Sequence, residues 1–172
     1  MDGQRFTFGA GVKIGVVCDT HNNVRNVQRI IELFNEAAVE RVVHTGDITK
    51  GSTLALFAKL TCPLVGVYGN NDLERDALDE AVADNGFTFQ DPPLRLHWSN
   101  RQVLVVHDPA ELNHFDWTAA DLVLHGHTHL YREERKDGQL LFNPGECAGH
   151  MTGYNTVGVV DLTNLEVELL KF

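Results

Sequence analysis

Short runs rich in apolar residues alternate with amphipathic segments in the first half of the chain. Such runs are typical of strands buried on both faces. The predicted strands are Ile14–Cys18, Arg41–His44 and Leu64–Tyr68. Helical spacing of apolar residues after each strand predicts three helices. The first is capped by Asn22 or Asn23 and carries Val27, Ile30, Ile31 and Phe34; the second is short, capped by Ser52 and ended by Pro63; the third is Leu73–Asn85, closed by Gly86. This β-α-β-α-β-α order predicts parallel strands joined by right-handed crossovers.

Strands predicted in the second half come mostly in pairs that are separated by turn residues. The pairs are Leu94–Trp98 with Gln102–Val106, Tyr131–Glu134 with Gln139–Phe142, and Thr156–Val160 with Val167–Leu170, and Leu122–Leu124 is a further buried strand. We therefore expect one α/β domain over residues 13–172, in which the later strands form a second, largely antiparallel sheet. Residues 1–12 are expected to be an N-terminal tail.

Composition and charge narrow the class of protein. The 172 residues carry a net charge of −10, and 43% of them are hydrophobic, enough for a sizeable core. There is no apolar run of the roughly 18 residues that a membrane span needs and no secretory signal pattern, so we expect a cytoplasmic protein without membrane contact. No Lys/Arg block is present, so a broad nucleic-acid surface is not expected. The three cysteines do not suggest a disulfide framework.

Five short polar motifs carry the candidate chemistry. They are Asp19-Thr20-His21, Gly46-Asp47, Gly69-Asn70-Asn71-Asp72, Val106-His107-Asp108 and Gly126-His127-Thr128-His129. Each begins within a few residues of the end of a predicted strand, and functional sites in α/β sheets gather where the carboxyl ends of strands meet. Together the motifs offer carboxylate, amide and imidazole groups, which points to a hydrolase with two metal ions.

Each motif alone has a simpler structural explanation. Gly46-Asp47 could be a turn with a cap, and Asn70-Asn71-Asp72 could cap the helix that follows it. His107 could be a histidine with an ordinary hydrogen bond at a strand end. The remaining histidines are expected to be structural or surface residues: His44, His97, His114, His125 and His150. The joint occurrence of the motifs in this order is what favours a metal site.

The motif set resembles that of the calcineurin-like metallophosphoesterases. The closer resemblance is to their small bacterial and archaeal phosphodiesterase branch, whose members end in an Asn-Pro-Gly-Ser element that here is Asn143-Pro144-Gly145-Glu146. The similarity runs from about Lys13 to the C-terminus. It implies a four-layer α-β-β-α sandwich with two mixed sheets and a dinuclear metal site at the sheet edge.

The resemblance also implies a division of the metal ligands. Asp19, His21 and His129 would hold one metal; Asn70, His107 and His127 would hold the other; and Asp47 would bridge the two. Two cations roughly 3.5–4 Å apart can clamp a phosphate and share a hydroxide whose pKa they lower. Oxygen and nitrogen ligands without cysteine favour a divalent transition metal, manganese first, with iron, nickel, cobalt or zinc as alternatives.

Three positions depart from the family pattern. Asp108 stands where relatives usually have Gly, and Glu146 replaces the usual Ser. Asn71 stands where related branches have a His that is thought to protonate the leaving group, or a Cys. We take Asn71 and the neighbouring Asp72 as candidate catalytic residues, although a neutral amide has no proton that titrates near pH 7.

The resulting functional prediction is a metal-dependent phosphoesterase, and among these a phosphodiesterase that uses a hydroxide activated by the two metals. Its partner would be a small phosphate-ester substrate, and homo-oligomerisation is left open. One alternative is a phosphomonoesterase acting on a small metabolite or nucleotide. Another is a non-catalytic interaction module on the same fold, which would have no need to keep seven ligands in register.

Overall fold

A computed structural model describes residues 12–150, 153 and 155–172. The predicted N-terminal tail therefore lies outside the described residues, apart from its last residue. The strands are β1 (Lys13–Val17), β2 (Arg41–His44), β3 (Leu64–Val67), β4 (Thr88–Gln90), β5 (Leu94–Trp98), β6 (Arg101–Val105), β7 (Leu122–Leu124), β8 (Tyr131–Lys136), β9 (Gln139–Pro144), β10 (Thr156–Asp161) and β11 (Glu166–Lys171). The α-helices are α1 (Val24–Glu36), α2 (Gly51–Ala55) and α3 (Arg75–Asn85), and two 3₁₀ helices span Leu56–Lys59 and Pro109–His114.

The first sheet has the strand order β11-β10-β1-β2-β3-β4. Strands β1 to β4 are parallel, as the alternation of strands and helices predicts. The three-residue edge strand β4 was not predicted, because it is too short to show a pattern. Side chains on one face of this sheet pack with α1, α2 and α3 around buried residues such as Ile30 and Phe34. The helices thus form one outer layer.

The second sheet has the order β5-β6-β7-β9-β8 and differs from the prediction. Its end pairs are antiparallel hairpins, but β7 pairs in parallel with both β6 and β9. The sheet is therefore mixed and not largely antiparallel. The hairpin β10–β11 joins the first sheet beside β1. This position suits β10 because both of its faces are apolar and become buried there. Val157 packs towards the helices and Val160 towards the second sheet.

The two sheets pack face to face over a shared core. Ile14 and Val43 from the first sheet contact a cluster that contains Val105, Leu124 and Phe142 from the second. The outer face of the second sheet buries a smaller cluster that includes Leu104, Val123 and Leu141, with Leu112 and Trp117 packed against it. The expected sandwich with two mixed sheets is therefore confirmed. Leu112, which covers that outer face, lies in the 3₁₀ helix Pro109–His114.

The helix ends show which predicted caps are present in the structure. Asn23 caps α1 by accepting a hydrogen bond from the Asn26 backbone N–H, and Gly86 closes α3 in the left-handed conformation, so both predictions are confirmed. The predicted cap at Ser52 is wrong, because α2 begins at Gly51 and has no side-chain cap. A Cβ at Gly51 would collide with the backbone of α3. Each helix in the described residues is too short or too polar to cross a bilayer.

Candidate metal centre

The five polar motifs meet at one edge of the two sheets. Asp19, Asp47 and Asn70 follow the parallel strands β1, β2 and β3, and His107 and His127 follow the parallel strands β6 and β7. The carboxyl ends of parallel strands share an edge, so loops that are distant in sequence come together there. Backbone hydrogen bonds join them, because the Asp19 N–H donates to Gly46 C=O over 3.1 Å and the Gly126 N–H to His107 C=O over 3.0 Å.

Asp19, His21 and His129 form the first ligand group, in which one donor atom of each residue lies within 4.8 Å of the others. The Nε2 atoms of His21 and His129 are 3.3 Å apart. Asp19 Oδ1 is 3.9 Å from the first of these nitrogens and 3.8 Å from the second. The three side chains therefore direct their donor atoms at a common point, as the resemblance implies.

Asn70, His107 and His127 form the second group. Asn70 Oδ1 lies 2.8 Å from His107 Nε2 and 3.0 Å from His127 Nδ1. The two ring nitrogens are 3.2 Å from each other. His107 also lies close to Asp19 and Asp47, with one donor atom of each within 4.8 Å of the others, so the second group adjoins the first.

Asp47 lies between the two groups. Its Oδ2 is 3.6 Å from His21 Nε2, and its Oδ1 is 3.5 Å from His107 Nε2. The side chain is almost completely buried, so neither oxygen is directed into bulk solvent. Each carboxylate oxygen thus faces a different ligand group, which is the geometry that a bridging carboxylate requires.

The hydrogen-bond pattern indicates that cations belong at this position. His107 Nδ1 is 2.8 Å from the Thr45 carbonyl oxygen, which can only accept, so in the neutral imidazole Nδ1 carries the proton and Nε2 is a bare acceptor. That nitrogen faces Asn70 Oδ1, a second acceptor. Asp19 Oδ1 is buried and has no hydrogen-bond partner among the described residues. Two acceptors in contact and an unpaired buried carboxylate oxygen are unfavourable unless a cation lies between them.

Burial disfavours the charged form of two candidate ligands. It raises the pKa of the Asp19 carboxyl and lowers the pKa of the His21 imidazole. A divalent cation reverses the first effect and agrees with the second, because it favours an ionised carboxylate and a neutral imidazole. Cys18 and Cys147 are buried, and burial raises the pKa of both thiols. The donor set is therefore nitrogen and oxygen, which suits divalent transition metals.

The backbone at the site is held in uncommon conformations. Positive φ angles occur at five of the seven candidate ligands, namely Asp19, His21, Asp47, His127 and His129. Residues other than glycine rarely adopt this region, and each instance costs of the order of 1–3 kcal/mol. Such strain persists only where the surrounding structure fixes it, and it clusters at functional sites.

Glycines in two of the motifs allow the loops to approach each other. A Cβ at Gly46, where φ is +105°, would lie 2.7 Å from Gly69 N and 2.8 Å from His107 Nδ1. A Cβ at Gly69 would collide with the Asp47 carboxylate. Any side chain at either position would therefore displace a candidate ligand, which explains why the motifs read Gly-Asp and Gly-Asn.

The two candidate catalytic residues, Asn71 and Asp72, contact the protein itself. The Asn71 side-chain amide donates to Asp47 Oδ2 over 2.8 Å, and its backbone N–H donates to Oδ1 over 2.9 Å. Asp72 is buried, and its carboxylate accepts backbone hydrogen bonds of 2.7–2.9 Å from Asp47, Ile48, Thr49 and Gly69. Both side chains therefore contact the loop that carries the Asp47 carboxylate.

Several residues outside the predicted set also touch the site. Glu146 Oε2 is 2.5 Å from His129 Nδ1, and Asp108 Oδ2 is 3.6 Å from His127 Nε2. His44 is buried, which lowers its pKa to about 3 and keeps it neutral beside Thr20. His150 was expected to be structural or at the surface, and its ring centroid lies 5.8 Å from that of His21. The available sequence signal for Glu146 and Asp108 was their departure from the family pattern.

Comparison with known proteins agrees with this geometry. The chain belongs to the calcineurin-like phosphoesterase superfamily, whose domain model matches residues 12–165. It is 33% identical over 166 residues to Phosphodiesterase MJ0936 of Methanocaldococcus jannaschii, covering 90% of this chain and 96% of that protein. The structure of an archaeal phosphodiesterase superposes with a TM-score of 0.86 at 32% identity, covering 93% of this chain and 99% of the other.

A more distant structure shares the fold alone. The phosphoesterase Yfce from E. coli superposes with a TM-score of 0.68 at 19% identity, covering 92% of this chain and 98% of the other. The family that these comparisons show is therefore the one that the five motifs resemble.

Proposed function

We propose that this protein is a metal-dependent phosphodiesterase with two divalent transition-metal ions, manganese first among the candidates and iron, nickel, cobalt or zinc as alternatives. The observation that carries the proposal is the position of Asp47, whose two oxygens face two separate groups of three ligands. The similarity to archaeal proteins named as phosphodiesterases supports it. An interaction module would not need seven converging ligands with strained backbones.

The chemistry follows from the arrangement of the ligands. When bound, two divalent ions supply positive charge for the oxygens of a phosphate and lower the pKa of a water molecule that can attack phosphorus. The role of this chain is to fix the ligands beforehand, so that little reorganisation accompanies the reaction. The strained backbones and the loop–loop hydrogen bonds serve this preorganisation.

We assign Asn71 and Asp72 to positioning and not to proton transfer. The Asn71 amide donates to the bridging carboxylate, and both oxygens of Asp72 accept from backbone N–H groups. A carboxylate in that environment has no free position from which to protonate a leaving group. The neutral Asn71 amide cannot do so either.

The electrostatics of the adjoining cleft favour a diester over a monoester. A cleft of about 290 Å³ opens beside Asn70, His107 and His127. Among the described residues that line it are three carboxylates, Asp91, Asp108 and Glu111. Arg75 pairs with Asp91 over 2.7 Å, so the excess negative charge of the cleft lies on Asp108 and Glu111. Because Coulomb energy scales with charge, these carboxylates repel a monoester dianion more strongly than a diester monoanion.

The experiment compares bis(nitrophenyl) phosphate with nitrophenyl phosphate on manganese-loaded protein, since the two substrates release the same product. We expect kcat/KM to be higher for the diester. Asp91→Asn removes one carboxylate at the cleft and leaves the charge of its partner Arg75 uncompensated, without touching a candidate ligand. It should raise kcat/KM for the monoester about twofold more than for the diester, from one extra unit of substrate charge at roughly 10 Å in water. Asp84→Asn is the matched control, because Asp84 is exposed and lies outside the lining residues of the cleft.

Two results would contradict the proposal. One is the absence of metal-dependent hydrolysis of either ester, which would leave the fold without the proposed chemistry. The other is a preference for the monoester that Asp91→Asn leaves unchanged, which would favour the phosphomonoesterase alternative.

A further inference from the structure

One histidine of the centre has an unusual partner. The Glu146 side chain is completely buried, and its Oε2 is 2.5 Å from His129 Nδ1. The Glu146 carboxylate contacts Nδ1, whereas Nε2 of the same ring faces His21 and Asp19, so the carboxylate lies behind the imidazole. The contact spans 17 residues and joins the loop after β7 to the loop after β9.

The contact fixes which nitrogen of His129 faces the centre. In the neutral imidazole, a carboxylate that accepts from Nδ1–H leaves Nε2 unprotonated, as a metal ligand must be. Nε2 is the atom that lies 3.3 Å from His21 Nε2 and 3.8 Å from Asp19 Oδ1. Carboxylates behind ligating histidines orient the ring and make it a stronger donor. A buried charge close to the ring has a larger effect than an exposed one, because solvent screens it less.

The second histidine of the same motif has a weaker counterpart. Asp108 Oδ2 lies 3.6 Å from His127 Nε2, a distance too long for a hydrogen bond. The Asp108 side chain is 37% exposed, and its Oδ1 already accepts from the Ala110 backbone N–H as a helix cap. The other histidine of that group, His107, is backed by the neutral Thr45 carbonyl oxygen over 2.8 Å. The two ligand groups therefore differ in charge, because the first has a buried carboxylate in hydrogen-bond contact behind a ligand.

We propose that Glu146 is a positioning residue for His129, and that it makes the group of Asp19, His21 and His129 the tighter of two unequal metal sites. This inference rests on the proposed function, because it assumes that both groups bind a divalent ion. It adds an order of occupancy: the site backed by Glu146 fills first, and the site that contains His127 fills second.

The test is titration of the chelator-treated protein with Co²⁺, whose visible spectrum reports the ligand environment, together with calorimetry using Mn²⁺. Wild-type protein should bind two ions in two resolved steps. Glu146→Gln keeps a hydrogen-bond acceptor but loses the charge, and it should weaken the first step several-fold. Glu146→Ala should weaken it about 10–100-fold, the usual cost of losing such a partner. Asp108→Asn is the matched variant, and it should alter mainly the second step.

A second measurement tests the tautomer directly. Nitrogen-15 spectra of the histidines in the metal-free wild-type protein should show His129 protonated at Nδ1, and Glu146→Ala should remove this preference. Unchanged affinities in folded Glu146→Gln protein, or wild-type His129 protonated only at Nε2, would overturn the inference. If wild-type protein binds two ions and cleaves diesters while the Glu146 variants bind normally, only this inference fails. If the wild-type protein binds no metal, the proposed function fails as well.

Discussion

Asp72→Asn separates a positioning role from a catalytic role most clearly. The Asp72 residue is 3% exposed, and its two oxygens accept four backbone hydrogen bonds. An asparagine that keeps its oxygen towards Ile48 and Thr49 turns its NH₂ group towards the N–H groups of Asp47 and Gly69. Two hydrogen bonds to a charged acceptor are then lost, and donors face donors.

The magnitude follows from the value of such bonds. A hydrogen bond to a charged group contributes about 1.5–3 kcal/mol, so losing two should lower the free energy of unfolding by about 3–6 kcal/mol. This is a large share of the roughly 5–15 kcal/mol by which a domain is stable. The urea midpoint should fall by about 1.5–3 M if the slope is near 2 kcal/mol per molar.

The assay is urea unfolding of chelator-treated protein, which removes any contribution from bound metal to the measured stability. Asp84→Asn makes the same chemical change at an exposed position of α3, and it should leave the free energy of unfolding within the usual ±0.5 kcal/mol of a surface substitution. If Asp72→Asn keeps the wild-type midpoint but abolishes turnover, Asp72 is a catalytic residue and our assignment is wrong.

Three further outcomes are expected. A chelator should abolish hydrolysis, and added manganese should restore it; activity that survives metal-free conditions would contradict this. Because the Asn71 amide bonds Asp47 and cannot donate a titrating proton, nitrophenyl diesters should be cleaved readily and alkyl diesters poorly, as a leaving-group series would measure. Burial lowers the pKa of His44 to about 3, so the unfolded chain binds a proton at a higher pH than the folded chain does. The free energy of unfolding should therefore fall as pH drops below about 6.5, by up to about 1.4 kcal/mol per pH unit. Urea unfolding of His44→Asn, measured against pH, should show a shallower slope.

The meeting of the motifs at one edge of the sheets could be predicted from the sequence because each motif begins at the end of a buried apolar run. Strand ends are visible in the sequence, and parallel strands bring their carboxyl ends to one edge, so Asp19, Asp47 and Asn70 could be expected to meet. The cap at Asn23 and the closing Gly86 were likewise local signals, and local signals need no knowledge of distant residues.

The features that the sequence did not predict depend on contacts between residues that are distant in the chain. The parallel pairing of β7 with β9 and the return of β10 to β1 are choices among sheet partners that a single strand does not encode. The contact of Glu146 with His129 has no periodic signature, and the departure of residue 146 from the family pattern did not reveal its purpose. The amide of Asn71 faces Asp47, a relation that spacing cannot express.

Elemental analysis of wild-type protein and Asp47→Asn tests the central claim most directly, with Asp84→Asn as the matched control. If Asp47 bridges both ions, wild-type and control protein should each carry two divalent ions per chain. Asp47→Asn should lose occupancy of both sites and nearly all turnover while its circular dichroism spectrum stays that of a folded chain. Full occupancy with unchanged activity in Asp47→Asn would contradict the bridged two-metal centre.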